Sequence, residues 1–360
     1  MVTVADVLTV LEDLAPEARA ASWDRVGLQI GDPAAPVTRI AVCHEVTPAT
    51  VDRVVGDGVD LVVAYHPLLF RPTTRFVAGP SATGRAFRLA SAGIALAVAH
   101  TNFDVAPGGS ADALAEAVGV RDARGFGPVW GAGSVRIVTY APSEAVESVT
   151  AAMADAGAGR HGAYSACSFR GEGVGAFTAS EHASPATGRA GAVNREPEVR
   201  IEMAAPAGSA DRVAAALVAA HPYEEPVYDV LDRRGEAGFV GRVGTLAEAV
   251  SVDDFAARVH RVLGGVVRIA GSGEVRRVAV VPGSGRDFLT AARGAGAEVI
   301  VTGDVGHHAA REAVEEGLAI VDPGHAATER PGVRKLYAAI AAAVPPAVGL
   351  TDDPDPWRSL

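Results

Sequence analysis

The chain has 360 residues, 49% of them hydrophobic and 21% charged, with a formal net charge of -11. That length accommodates two or three domains with a sizeable core, and the negative charge argues against sequence-independent nucleic-acid binding, which needs a cationic surface. The first ten residues carry Asp6 and no basic region, and no uninterrupted apolar stretch reaches ~18 residues; neither a signal peptide nor a membrane span is expected, which leaves the cytoplasm as the expected compartment.

In chain order, Val4 to Leu14 has helical periodicity, and Ser22 to Gln29 is a loop entering a short strand. Thr38 to Cys43 is a predicted strand, Pro48 to Asp57 a helix and Asp60 to Ala64 the next strand. Ser81 to Ala92 is a helix, Gly93 to Ala99 a strand and Ser110 to Val118 a helix. Alternation of strand and helix predicts a largely parallel sheet. The order recurs late in the chain. Val275 to Val280 echoes Val37 to Val42, a helix follows over Asp287 to Gly294, and Ala297 to Val301 parallels Val59 to Val63. After His307 and His308 come another helix and the strand Gly317 to Val321.

Between these parts, Val135 to Pro142 and Val199 to Pro206 each precede a helix and then an extended segment, the second beginning at His221-Pro222-Tyr223-Glu224-Glu225-Pro226. Two strand-helix-strand units predict a small ferredoxin-like α+β domain. The glycine-rich stretch Gly171 to Gly191 is expected as an extended surface loop. The expected fold is therefore α/β, with two related halves, 1–125 and 236–360, forming one metal-binding domain and an inserted ferredoxin-like domain over 126–235. Cys43 and Cys167 lie in apolar sequence and are expected as buried free thiols.

Three predicted strands end in groups that bind metals. Tyr65-His66-Pro67 follows Leu61 to Ala64, His100-Thr101-Asn102-Phe103-Asp104 follows Ile94 to Ala99, and Pro323-Gly324-His325 follows Gly317 to Val321. If a helix begins near His325, then Glu329, four residues on, shares its face. Each signal is weak alone; together they point to a metal site at one edge of a sheet.

These motifs resemble the Nif-three-like dinuclear metal-centre family, often labelled GTP cyclohydrolase 1 type 2 homologues. The resemblance runs through Trp23-Asp24-Arg25-Val26-Gly27-Leu28, His66-Pro67-Leu68-Leu69-Phe70 and His100 to Asp104 with Ala106-Pro107-Gly108-Gly109. It continues in Thr302-Gly303-Asp304 with His308 and in Gly324-His325-Ala326-Ala327-Thr328-Glu329. Tyr164 to Arg170 and His221 to Pro226 match its longer members. The resemblance implies a pair of metal ions per subunit and a hexameric toroid whose metals face an internal cavity. Taken with the chemistry of the side chains, it selects His66, Asp104, His325 and Glu329 as ligands. Imidazole and carboxylate together suit zinc, manganese or iron without choosing among them. The family usually places two histidines before the proline of the first motif; here the first is Tyr65, so the expectation is one firmly held ion and a second held weakly or not at all.

Other positions carry smaller expectations. His100 is either a group that orients a ligand or a structural hydrogen-bonding residue. His308 is a candidate general acid or substrate contact, and Asp304 is expected to cap the helix beginning nearby, with assistance to His308 as the alternative. The His221 to Pro226 segment is expected as a proline-stiffened edge, with ligand binding as the alternative. Gly283-Ser284-Gly285 resembles a short anion-binding loop but lacks the lysine of a P-loop. The functional expectation is a metal-dependent hydrolase acting on a nucleotide-like or other small substrate. The alternative is a non-catalytic, metal-binding oligomeric adaptor.

Overall fold

Period-two burial explains the first sheet. In the computed structural model, which describes residues 2–131, 133–161, 164–233, 237–344 and 346–351, helix α1 (Val4–Leu14) begins with a reciprocal Thr3–Asp6 capping box. Strands β1 (Gly27–Ile30), β2 (Ile40–Cys43), β3 (Leu61–Ala64) and β4 (Ala95–Val98) are separated by α2 (Pro48–Gly56) and α3 (Ala82–Ser91). Ile40, Val42, Leu61 and Val63 enter one apolar cluster, with α1. Their neighbours Ala41, Cys43, Val62 and Ala64 enter another, with α2 and α3. Strands buried on both faces are the mark of a parallel sheet covered by helices. A short helix α4 (Thr101–Val105), α5 (Ser110–Val118) and strand β5 (Arg121–Trp130) follow. Residues 126–130, assigned to the insert from sequence, continue β5.

The chain divides into two compact units, Met1–Gly131 with Ala237–Leu360, and Ala132–Glu236. The second contains β6 (Ser134–Ala141), α6 (Val146–Asp155), β7 (Phe169–Thr178), β8 (Val193–Pro206), α7 (Ala210–Ala220) and β9 (Tyr228–Arg233). Its antiparallel sheet has the order β7-β8-β6-β9. Val135, Ile137, Ile201 and Met203 bury one sheet face against α6 and α7. The first part of the expected glycine-rich loop, through Thr178, is strand: Gly171, Gly173 and Gly175 occupy alternate positions of the edge strand β7. Cys43 is buried as expected, whereas Cys167 is exposed; neither is in a disulfide. The His221 to Pro226 segment leaves α7 with its imidazole Nε2 3.0 Å from the Tyr140 carbonyl, and Tyr223 donates to Glu198 over 2.7 Å.

The first unit resumes with β10 (Ala237–Ser251), α8 (Val252–Leu263), β11 (Arg268–Ala270) and β12 (Glu274–Ser284). It ends with α9 (Leu289–Gly294), β13 (Val299–Gly303), α10 (His307–Glu315), β14 (Ala319–Asp322), α11 (His325–Ala343) and β15 (Ala347–Leu350). Among the described residues this unit holds two sheets, β1-β4-β3-β2-β15 and β11-β14-β13-β12-β10-β5. The cores β2-β3-β4 and β12-β13-β14 are parallel. Helix α11 contributes to the cores on both sheets: Val333, Leu336 and Ile340 pack with the first, Ala327 with the second.

Candidate metal centre

The carboxyl ends of parallel strands are where open α/β sheets place ligands, and here those ends converge on one carboxylate. Helix α11 begins at His325, so His325 and Glu329 lie one turn apart with Nε2 and Oε1 separated by 3.1 Å. Glu329 is only 3% exposed. Its other oxygen, Oε2, lies 3.0 Å from Nε2 of His66, at the end of β3. The same Oε2 is 2.7 Å from Nε2 of His44, at the end of β2. Burial opposes ionisation of Glu329, but hydrogen bonds with His325, His44 and His66 outweigh it and hold the carboxyl well below its ordinary pKa.

The backbone makes room for this packing. Gly283, beyond the core of β12, has φ +64°, and a Cβ there would stand 2.5 Å from Glu329 Oε1 and 3.3 Å from the His325 ring. Gly283 donates its N–H to Thr328 over 2.8 Å, so the end of β12 closes over the start of α11.

The His100 and His325 rings and the Asp104 carboxylate are aimed by partners. Asp24, from the tryptophan-containing loop, holds His100 Nδ1 at 3.0 Å and accepts from the Thr101 backbone and hydroxyl. Burial works against the Asp24 carboxylate. The His100 bond and charge, with Thr101 and the Arg25 backbone, prevail and lower its pKa to about 2. The His100 ring so held lies 4.9 Å from that of His66 and 5.5 Å from that of Tyr65. Asp304, at φ 60°, holds His325 Nδ1 at 2.7 Å. It does not cap α10, whose cap residue is Gly306. Burial depresses the His325 pKa, but bonds to Glu329 and Asp304 override it and raise it to about 9.

Asp104 lies buried on α4 and accepts the hydroxyl of Tyr65. Burial lifts its pKa to about 6, against the His100 charge and the Tyr65 bond. Tyr65 is wholly buried, and burial followed by the Asp104 and Glu329 charges raises its phenol well above 10. His66, His325 and Glu329 thus come together directly, and Asp104 is tied in through Tyr65. His308 is exposed in the first turn of α10, beside His307 with ring centroids 5.3 Å apart; no described contact joins it to the cluster. The residue the sequence reading missed is His44. Among the described residues, His44, His66 and Glu329 form a group whose ligand atoms lie within 4.8 Å of one another. Its signal was present, since His44 directly follows the β2 run, as Tyr65 and then His66 follow β3.

Comparison with known proteins agrees with this architecture. The chain is 39% identical over 370 residues to the GTP cyclohydrolase 1 type 2 homolog of Mycobacterium tuberculosis, covering 99% of this chain and 97% of that one. It is 35% identical over 325 residues to the protein of the same name from Halalkalibacterium halodurans, covering 89% and 87%. A solved structure of a Bacillus cereus protein related to NIF3 superposes with a TM-score of 0.67 at 33% identity, over 100% of this chain and 99% of that one. The profile of one family, described as Duf34/NIF3 (NGG1p interacting factor 3), matches residues 2–351; the chain belongs to that family.

Proposed function

We propose that the protein is a divalent-metal-dependent hydrolase of a nucleotide-like or other small substrate, holding one or two ions of zinc, manganese or iron at His66, Asp104, His325 and Glu329. The observation that carries this reading is Glu329, a buried ionised carboxylate with both oxygens faced by imidazole nitrogens from separate elements. The residues fit a cation: the donors are a hard carboxylate and borderline imidazoles, which suit these ions, and Gly283 leaves the space beside them clear. A bound ion would supply Lewis-acid polarisation and lower the pKa of a nearby water. The chain's own part is to hold the donors. Asp304 fixes His325 through Nδ1 and turns Nε2 inward, Asp24 fixes His100, and Tyr65 fixes Asp104. His308, exposed at the start of α10, is the proposed proton donor or substrate contact. His308→Ala should then lower kcat while metal content stays constant.

The same reading includes two related α/β halves, a ferredoxin-like insert and a homohexamer with the metal centres facing its cavity. The matching parallel cores β2-β3-β4 and β12-β13-β14 and the β7-β8-β6-β9 order support the first two. The exposed Trp23–Phe70 pair, with ring centroids 6.1 Å apart, supports self-association. Light scattering tests the assembly. The test of function is metal analysis of the purified protein, followed by a hydrolysis screen with the native metal. GTP comes first, because the relatives' name mentions it. Turnover that tracks metal loading is expected. A fully loaded protein inert towards nucleotides and phosphoesters would sink the enzyme reading. A cavity of about 920 Å³ in the second unit, bordered by Tyr140, Arg200, Tyr223 and Glu224, favours the alternative of a metal-binding adaptor that recognises a ligand or partner there.

A further inference from the structure

The two strand ends β2 and β3 run in parallel register, with Cys43 opposite Ala64 and the His66 N–H donating to the His44 carbonyl over 2.9 Å. His44 and Tyr65 are the next pair in that ladder. Their rings stack 5.8 Å apart at 19°, so both side chains leave the sheet on the same face. One is an imidazole and the other a phenol. Which of them serves the metal centre decides how many nitrogen donors it has.

We propose that His44 is a resident metal-binding imidazole contributed from β2, and that Tyr65 is a positioning residue that acts through Asp104. The inference rests on the metal reading above and concerns which of this chain's side chains furnish the centre. Its first support is spacing. The ligand atoms of His44, His66 and Glu329 lie within 4.8 Å of one another, a separation that shrinks readily onto one ion with bonds of ~2.0–2.2 Å. Its second support is how Glu329 is shared. Oε2 faces His44 and His66, whereas Oε1 faces His325. A carboxylate with two nitrogens on one oxygen and a third on the other is disposed to bridge two ions. His44 then supplies the donor that the single histidine His66 cannot supply alone. The third support is the burial of the ring. His44 is 5% exposed and meets the His66 ring edge-on at 4.7 Å. Tyr65, by contrast, spends its hydroxyl proton on Asp104, and a phenol that keeps its proton is a poor metal donor. The centre therefore has capacity for two ions despite the phenol at position 65.

The test uses the full chain, stripped with chelator and titrated with Zn²⁺ and with Co²⁺. Ions bound per chain and their dissociation constants come from equilibrium dialysis, and donor type from the visible Co²⁺ spectrum. Two ions per chain are expected. His44→Leu should lose one of them, or weaken it by more than the ~10–100-fold typical of an orienting partner, and should shift the Co²⁺ bands. The exchange His44→Leu with Tyr65→His should restore two ions, because the imidazole moves one strand over on the same sheet face. Tyr65→Phe should keep both ions with weaker affinity and nearly unchanged Co²⁺ bands. Circular dichroism checks folding; if His44→Leu does not fold, His44→Gln carries the same comparison. Two ions in His44→Leu weakened by no more than the ~10–100-fold of an orienting partner, or a single ion in the unaltered chain, would overturn the role of His44 and leave the metal reading standing. An unaltered chain that binds neither ion would overturn the metal reading and this inference with it.

Discussion

Asp24 and His325 show the same physics with opposite sign. The Asp24 carboxylate has its pKa lowered to about 2, so its bonds to His100 and Thr101 favour the folded state by roughly 2 kcal/mol at neutral pH. That contribution is complete above the ordinary aspartate pKa near 4 and is lost as the pH falls towards 2. In urea titrations of metal-free protein, Asp24→Asn should be less stable by about that amount at pH 7, and the deficit should narrow between pH ~4 and ~2. His325, raised to about 9, is protonated at pH 7 in the absence of metal. A metal ion binding at Nε2 must displace that proton. Calorimetric titration with Zn²⁺ in two buffers of different ionisation enthalpy should therefore give different heats at pH 7, converging as the pH passes 9; equal heats at pH 7 would contradict the assignment. The side chains around Glu329 were unevenly legible. His66, His325 and Glu329 stood out because a strand end or a helical turn brings them into view over a few residues. His44 did not, because no proline stands beside it at the end of β2 and the nearby Thr47 and Pro48 announce a helix cap instead. Asp304 was misjudged for a similar reason: an aspartate before a helix usually caps it, but here a positive φ turns it towards His325.

Among elements, the parallel strands were the most legible, since their valine-rich runs are buried on both faces. Strand β7 was the least, because alternate glycines erase the side-chain pattern by which a strand is recognised. Glycine elsewhere has a sharper task. At Gly283 the chain must adopt φ +64° within 2.5 Å (measured from an added Cβ) of a buried carboxylate oxygen. Gly283→Ala should cost about 1–2 kcal/mol through backbone strain alone and should also push Glu329 off its imidazoles, weakening metal binding. Gly56, at the end of α2, has nothing within 4 Å of an added Cβ. Gly56→Ala is the control and should raise the urea midpoint slightly, by about 0.4–1 kcal/mol of stability, while leaving metal affinity unchanged. Equal losses in the two variants would mean that the approach of Gly283 to α11 is of no consequence.

At the scale of the whole molecule, the second unit enters and leaves through one rung of a ladder. Trp130 at the end of β5 is paired with Ala237 at the start of β10, so a two-residue hairpin turn can in principle replace everything between them. A chain joining Trp130 to Ala237 through Asn-Gly should fold, keep its helical and strand signals in circular dichroism, and bind the same number of metal ions per chain. Loss of folding would show that the first unit depends on the second. The placement of Glu329 on α11 has a temporal consequence. His44, His66, His100 and Asp104 leave the ribosome early, whereas Glu329 follows after roughly ten to forty-five seconds at ~5–20 residues per second. During that interval β2 also lacks its outer neighbour β15. A nascent chain thus displays imidazoles without the Glu329 carboxylate beside an unpaired strand edge, a form suited to capturing stray imidazole-binding ions or another chain. On the proposed metal reading, loading with the correct ion would be an act of the completed polypeptide, after α11 has docked.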